Sequence, residues 1–235
     1  MIKEAIKYIV DLGNTRLETI GKRVFSTQPI HVVKQPLPST LEVNSLSGLV
    51  GYLKSKFDGD EKLLVHVESP TLVTVSSVLN DDSNRKEMIK SKALLPSFSF
   101  DRFHNPEEFN IQLQSCFVKN EDRNIMLQVV GNIREEQVNT IGDDGISQSV
   151  TAKIGVATLS QVQVPNPVVL APYRTFVEVE QPESDFIFRM QNGPKCALFE
   201  ADGGAWKLKA MKNIQTFLVE ELEAEMAAGK IIVIA

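Results

Sequence analysis

Six carboxylates in the second half of the chain have spacings suited to chemistry. They are Asp143 and Asp144 in one turn, Glu178 and Glu180, and Glu200 and Asp202. Glu178 and Glu180 lie two apart in a segment read as a strand, so their side chains share a face. Glu200 and Asp202 repeat that spacing beside the next turn. If these turns converge, their oxygens suit Mg²⁺ or Mn²⁺ and metal-assisted hydrolysis. Asp143, Asp144, Glu200 and Asp202 would then be the catalytic set, and all six would be metal ligands. The plainer account is structural and outweighs this one. Asp-Asp-Gly is a common hairpin turn, Glu-x-Glu is a solvated strand face, and spacing in sequence does not establish nearness in space.

A second concentration is Pro172-Tyr173-Arg174-Thr175-Phe176, with the only tryptophan, Trp206, further along. Tyr, Arg and Trp are typical interface anchors, which makes Tyr173, Arg174 and Trp206 the candidate binding residues. The competing account pairs Arg174 with a nearby glutamate. It also packs Trp206 under the turn made by Asp202-Gly203-Gly204, where two glycines permit positive φ.

Other chemistries find little support. His31, His66 and His104 form no His-x-x-x-His pair and read as structural or surface residues. There is no Walker motif, dinucleotide fingerprint or Gly-x-Ser-x-Gly elbow. Cys116 and Cys196 lie in apolar segments without metal spacing and read as buried free thiols. A net charge of −5 lowers the expectation of nucleic-acid binding, since phosphate contacts need basic surface. No run approaches the roughly 20 apolar residues of a membrane span, and the N-terminus lacks the apolar core of a signal peptide. The expected location is cytoplasmic, in a reducing compartment.

These residues need elements to position them. Ile2, Ala5, Ile6 and Ile9 predict a helix over 2–12, ended by Gly13. Pro36 and Pro38 break the chain, which suggests an N-terminal helix and extended segment over 1–38. A main domain over 39–235 would follow, unless the whole is one continuous domain. Residues 45–57 predict a helix capped by Asn44 or Ser45, with Leu46, Leu49, Val50, Leu53 and Phe57 on one face. Period-two runs at 63–67 and 72–76 predict a hairpin, and 85–95 reads as strand or helix, with a strand continuing the meander preferred. Asn105-Pro106-Glu107-Glu108 opens a helix that Asn120-Glu121-Asp122 closes. The apolar run Ile125–Val130 reads as a buried strand. Extended segments at 135–141 and 146–156 flank the Gly142–Gly145 turn. Residues 162–169, with Pro165 and Pro167, read as an edge or loop. Strands at 174–180 and 185–190 form a hairpin, with another near Cys196–Phe199. One long helix spans 207–227, and Ile231–Ala235 is a terminal strand.

The expected fold class is therefore α+β: a mainly antiparallel, hairpin-rich, continuous sheet system with about four packed amphipathic helices. The apolar terminal strand must pair in the sheet or against another subunit, so a homo-oligomer is expected.

The segments Asp143-Asp144-Gly145, Pro172–Phe176, Gln181-Pro182-Glu183-Ser184 and Phe199–Gly204 resemble an uncharacterised family of bacteriophage and prophage proteins, over residues 45–235. The resemblance implies a viral or prophage origin, hence a bacterial host cell. It implies no activity and carries over no functional residue. The leading expectation is a non-enzymatic, oligomeric accessory protein without a cofactor, binding a host protein or a small ligand. The alternatives are the Mg²⁺- or Mn²⁺-dependent hydrolase or nuclease and a virion structural component.

Overall fold

The computed structural model describes residues 2–21, 23–28, 39–80, 83–131, 141–143, 148–153, 159–161, 166–191 and 195–235; for 141–143, 148–153 and 159–161 it describes the backbone only. The chain divides into two units, Met1–Pro38 and Ser39–Ala235. The first holds α1 (Ile2–Gly13) and the antiparallel hairpin β1 (Leu17–Ile20) and β2 (Arg23–Ser26). Gln28 ties the helix to the hairpin, its Nε2 donating to the Gly13 carbonyl at 2.9 Å.

The second unit has two cores. One lies on a five-stranded sheet of order β13-β4-β5-β6-β3. Its strands are β3 (Leu41–Val43), β4 (Leu63–Ser69), β5 (Leu72–Ser77), β6 (Glu87–Lys92) and β13 (Ile231–Ile234). The centre is antiparallel, while β3 and β13 pair parallel to their neighbours. Directly opposed residues share a face, and the pairs Val65–Val75, Val67–Val73 and Val75–Ile89 build one apolar face. Helices α2 (Leu46–Ser55) and α5 (Trp206–Glu221) cover it with Leu46, Leu49, Leu53, Ile214 and Leu218. The opposite face carries His66, Thr74 and Lys90 in register, as a sheet packed on one side permits.

The other core packs α3 (Pro106–Cys116) and α4 (Glu121–Gly131) on a three-stranded antiparallel sheet. That sheet is β10 (Val168–Leu170), β11 (Ser184–Gln191) and β12 (Lys195–Glu200). Phe109, Phe117, Phe186 and Phe188 fill it. A third sheet joins β7 (Ile141–Asp143), β8 (Gln148–Lys153) and β9 (Leu159–Gln161), all antiparallel. A short α6 (Glu223–Ala227) follows α5.

The class is α+β and mostly antiparallel, as expected, but several details differ. The described residues hold six helices rather than about four, and four separate sheets rather than one continuous system. Ile125–Val130 is not a strand; it is the body of α4. Asn120 opens that helix instead of closing the previous one, its Oδ1 accepting from Arg123 N at 2.9 Å. Residues 174–180 form a turn rather than a strand, and β11 pairs with β10 and β12. The long C-terminal helix breaks at Leu222, where φ is −110°. Helix α2 stops at Ser55 because Lys56 turns left-handed at φ 52°, which leaves Phe57 82% exposed. The terminal strand β13 pairs with β4 within the chain. The reading of His31 in a strand lies outside the described residues.

Candidate functional site

Residues 171–181 form a strap across the junction of the two cores. Tyr173 N donates to the Cys116 carbonyl at 2.9 Å, fastening one end to α3. Thr175 Oγ1 donates to the Pro70 carbonyl at 2.5 Å, reaching the β4–β5 hairpin of the other core. Phe176 is buried within that second core. Asn213 Nδ2, on α5, donates to the Glu180 carbonyl at 2.8 Å.

One buried side chain shapes the strap. Gln181 Oε1 accepts from Arg174 N at 3.0 Å and from Thr175 N at 3.2 Å. Its Nε2 donates to the Phe176 carbonyl at 2.9 Å and the Val179 carbonyl at 3.1 Å. An amide has two acceptor and two donor positions, and all are used. Gln181 thus does the work of a neighbouring strand.

Glu178 has a fixed structural task. Its carboxylate oxygens accept from Leu46 N at 2.6 Å and Ser47 N at 2.8 Å. These are orphan amides of the first turn of α2, where a negative charge is favoured. Glu178 therefore supplements the Ser45 cap, whose Oγ accepts from Gly48 N at 3.1 Å. Glu178 and Glu180 do not share a strand face, because their segment is a turn.

Glu200 and Asp202 converge on Arg174. The guanidinium Nη1 donates to Glu200 Oε1 at 2.7 Å, and Nη2 donates to Ser184 Oγ. Asp202 adds its charge close by. The Arg174 side chain is 8% exposed. Its Cζ stands 4.0 Å from the Trp206 ring centroid and 5.5 Å from that of Phe186, both within cation–π range. Desolvation lowers the Arg174 pKa, opposed by the charges of Glu200 and Asp202. Desolvation alone would raise the Asp202 carboxyl. The amides of Gly204 and Trp206, the Ser184 hydroxyl and the Arg174 charge outweigh it and hold the carboxyl below its ordinary value. Asp202 also closes the turn before α5, accepting from Gly204 N at 3.0 Å and Trp206 N at 3.2 Å. Gly203 and Gly204 stand at φ 62° and 82°, so the turn needs residues without a Cβ.

Beside this ion pair is an open cleft of about 280 Å³. Leu95, Pro96, Phe98 and Phe100 wall one part, and Tyr173, Arg174 and Trp206 another. The three candidate binding residues therefore meet in one place. The Nε of Arg174 and the indole Nε1 of Trp206 are buried without a hydrogen-bond partner among the described residues, whereas buried donors are ordinarily paired. Cys116 also lines the cleft; its Sγ lies within hydrogen-bond range of Ser115 Oγ and the Ser97 carbonyl, neither of them a base.

The remaining candidates lie elsewhere. Asp143 is in β7, paired in register with Gln148; its side chain, and all of Asp144, lie outside the described residues. Among the described residues no three of His, Cys, Asp and Glu gather as a metal would require. His104 bridges Cys196 through the backbone, and its Nε2 meets the Ser99 carbonyl at 2.9 Å, a structural role. Both cysteines are buried and free, and burial pushes the Cys196 thiol up to about 12. Sequence reasoning missed the wall from Leu95 to Phe100. Its signal was the apolar pair Leu94-Leu95 before Pro96, followed by the alternation Ser97-Phe98-Ser99-Phe100, which puts both phenylalanines on one side; Leu95 is 39% exposed.

No protein family model, curated protein or solved structure matches this chain significantly. No helix among the described residues is long and apolar enough to cross a membrane.

Proposed function

We propose that this chain is a non-enzymatic, oligomeric binding protein, of the phage-encoded accessory kind that its sequence resembles, and that the cleft beside Arg174 seats an apolar side chain of a protein partner. The observation that carries this reading is the meeting of Tyr173, Arg174 and Trp206 with an apolar wall at the junction of two cores. Tyr, Trp and Arg are the residue types that dominate binding energy at protein interfaces. The volume, near the low end for ligand pockets, suits one or two side chains rather than a large cofactor. Arg174 is already balanced by Glu200 and Asp202, so the cleft draws an apolar group more than an anion.

The hydrolase alternative has less support, because Glu178, Glu200 and Asp202 are engaged by α2, by Arg174 and by the amides before α5. The test is selection from a displayed random-peptide library, with the Tyr173→Ala and Leu95→Glu variants as counter-targets. The reading expects enriched peptides with an aromatic or branched aliphatic anchor whose binding both variants abolish. Peptides that bind the variants equally well, or no enrichment, would overturn it.

A further inference from the structure

The first unit buries none of the side chains described in it. On α1, Ile2 is 80% exposed, Ile6 57%, Tyr8 66%, Ile9 66% and Leu12 63%. Lys3, Glu4, Lys7 and Asp11 fall within a sector of about 100° at 100° per residue, and the apolar side chains occupy the rest. The hairpin adds Leu17, Ile20, Val24 and Phe25, between 48% and 66% exposed. A unit this small that leaves its apolar side chains about half or more exposed offsets little of the entropy of its own ordering.

We infer that this apolar surface is the seam on which two copies of the chain associate, α1 of one against α1 of the other. The proposal specifies the oligomer in the function above and is independent of what the cleft binds. With Val10, 57% exposed, these are ten apolar side chains; at roughly 100 Å² each they offer about 1,000 Å², more than the about 800 Å² per partner that a stable interface buries. The polar sector of α1 has two bases and two acids, so one α1 meets another without net charge repulsion between the helices. A bilayer-bound helix carries a surplus of Lys and Arg on its polar face, and α1 has no such surplus. The sheet edge at β13 is a weaker rival: Ile231 is buried within the chain, and Ile232 and Ile234 are only 45% and 41% exposed.

The experiment is sedimentation equilibrium of the full chain, wild type against Ile6→Glu/Ile9→Glu, with Ile232→Lys as the edge-strand control. The proposal expects a dimer for wild type and Ile232→Lys. It expects a dissociation constant raised by at least about 100-fold in the double variant, from the loss of two buried isoleucines. If the double variant loses helix α1 by circular dichroism, Ile9→Ala, which keeps helix propensity, should weaken the dimer in the same direction. Wild type sedimenting as one chain, a double variant that still dimerises, or a monomer that floats with anionic phosphatidylserine vesicles would each overturn it. Cleft titrations on the same samples separate the two readings, because loss of the dimer should leave cleft binding intact.

Discussion

Replacing Gln181 by Ala tests whether one buried amide builds the strap. The change removes an acceptor from two amides and a donor from two carbonyls, at 2.9–3.2 Å. A buried hydrogen bond contributes about 0.5–1.5 kcal/mol net, and more when its partner is left unsatisfied. Four such bonds set a range of about 2–6 kcal/mol. Water reaching the Val179 carbonyl beside its half-buried side chain brings the expected cost to about 3–4 kcal/mol. For a unit of this size each kcal/mol moves the melting midpoint by about 2–4 °C, so the fall should be about 6–16 °C. Differential scanning calorimetry measures it. Gln181→Glu gives the internal comparison. Its carboxylate still accepts from Arg174 N and Thr175 N, but its second oxygen faces the Phe176 and Val179 carbonyls without a proton, so at neutral pH it should cost at least as much as Ala and regain part on acidification. A Gln181→Ala midpoint within about 2 °C of wild type would refute the reasoning.

Three further outcomes follow from the same geometry. Glu178→Ala removes the acceptor of two α2 amides and should cost about 1–2 kcal/mol, with faster hydrogen exchange at Leu46 and Ser47 and unchanged exchange in α3. The Asp202 pKa is lowered in the folded state from an ordinary 3.8. Its stabilisation is therefore complete above that ordinary value and is lost as pH falls through the lowered one. Asp202→Asn should flatten the acid limb of a stability–pH curve, and an unchanged limb would contradict this. Cys196, with its thiol pushed up to about 12 and its side chain sealed, should resist a disulfide reagent at pH 8 until the protein unfolds.

Elements governed by local rules were legible in the sequence. Asn105-Pro106 marked the start of α3, Ser45 capped α2, and the alternation around Glu68-Ser69-Pro70 marked the β4–β5 hairpin. Helix α4 was hidden by a buried charge. Its inward residues are Arg123, Met126, Val129 and Val130, and Arg123 breaks the apolar pattern. The structure shows why Arg123 is tolerated: its Nε and Nη2 donate to the Leu113 and Gln114 carbonyls, at the end of α3. The strap was misread for a different reason. Phe176, Val177 and Val179 imitate a strand, while the groups that fold them into a turn come from Gln181 and from Pro70, far away in sequence. The same limit applies to the site. Tyr173, Arg174 and Trp206 stood out by residue type, but nothing local announced that Leu95 to Phe100 would face them. Nor did spacing reveal that Glu178 would cap a helix 132 residues away.

The most direct test of the binding account uses the only tryptophan. Trp206 lines the cleft, its indole N–H is buried without a partner among the described residues, and as the only tryptophan it gives a single indole resonance in a ¹⁵N–¹H spectrum. The measurement is a titration with small apolar probes, p-cresol and cyclohexanol, on wild type and Tyr173→Ala. The account predicts a saturable shift of that resonance in wild type and its loss in the variant. No shift with either probe, or the same shift in both proteins, would contradict it.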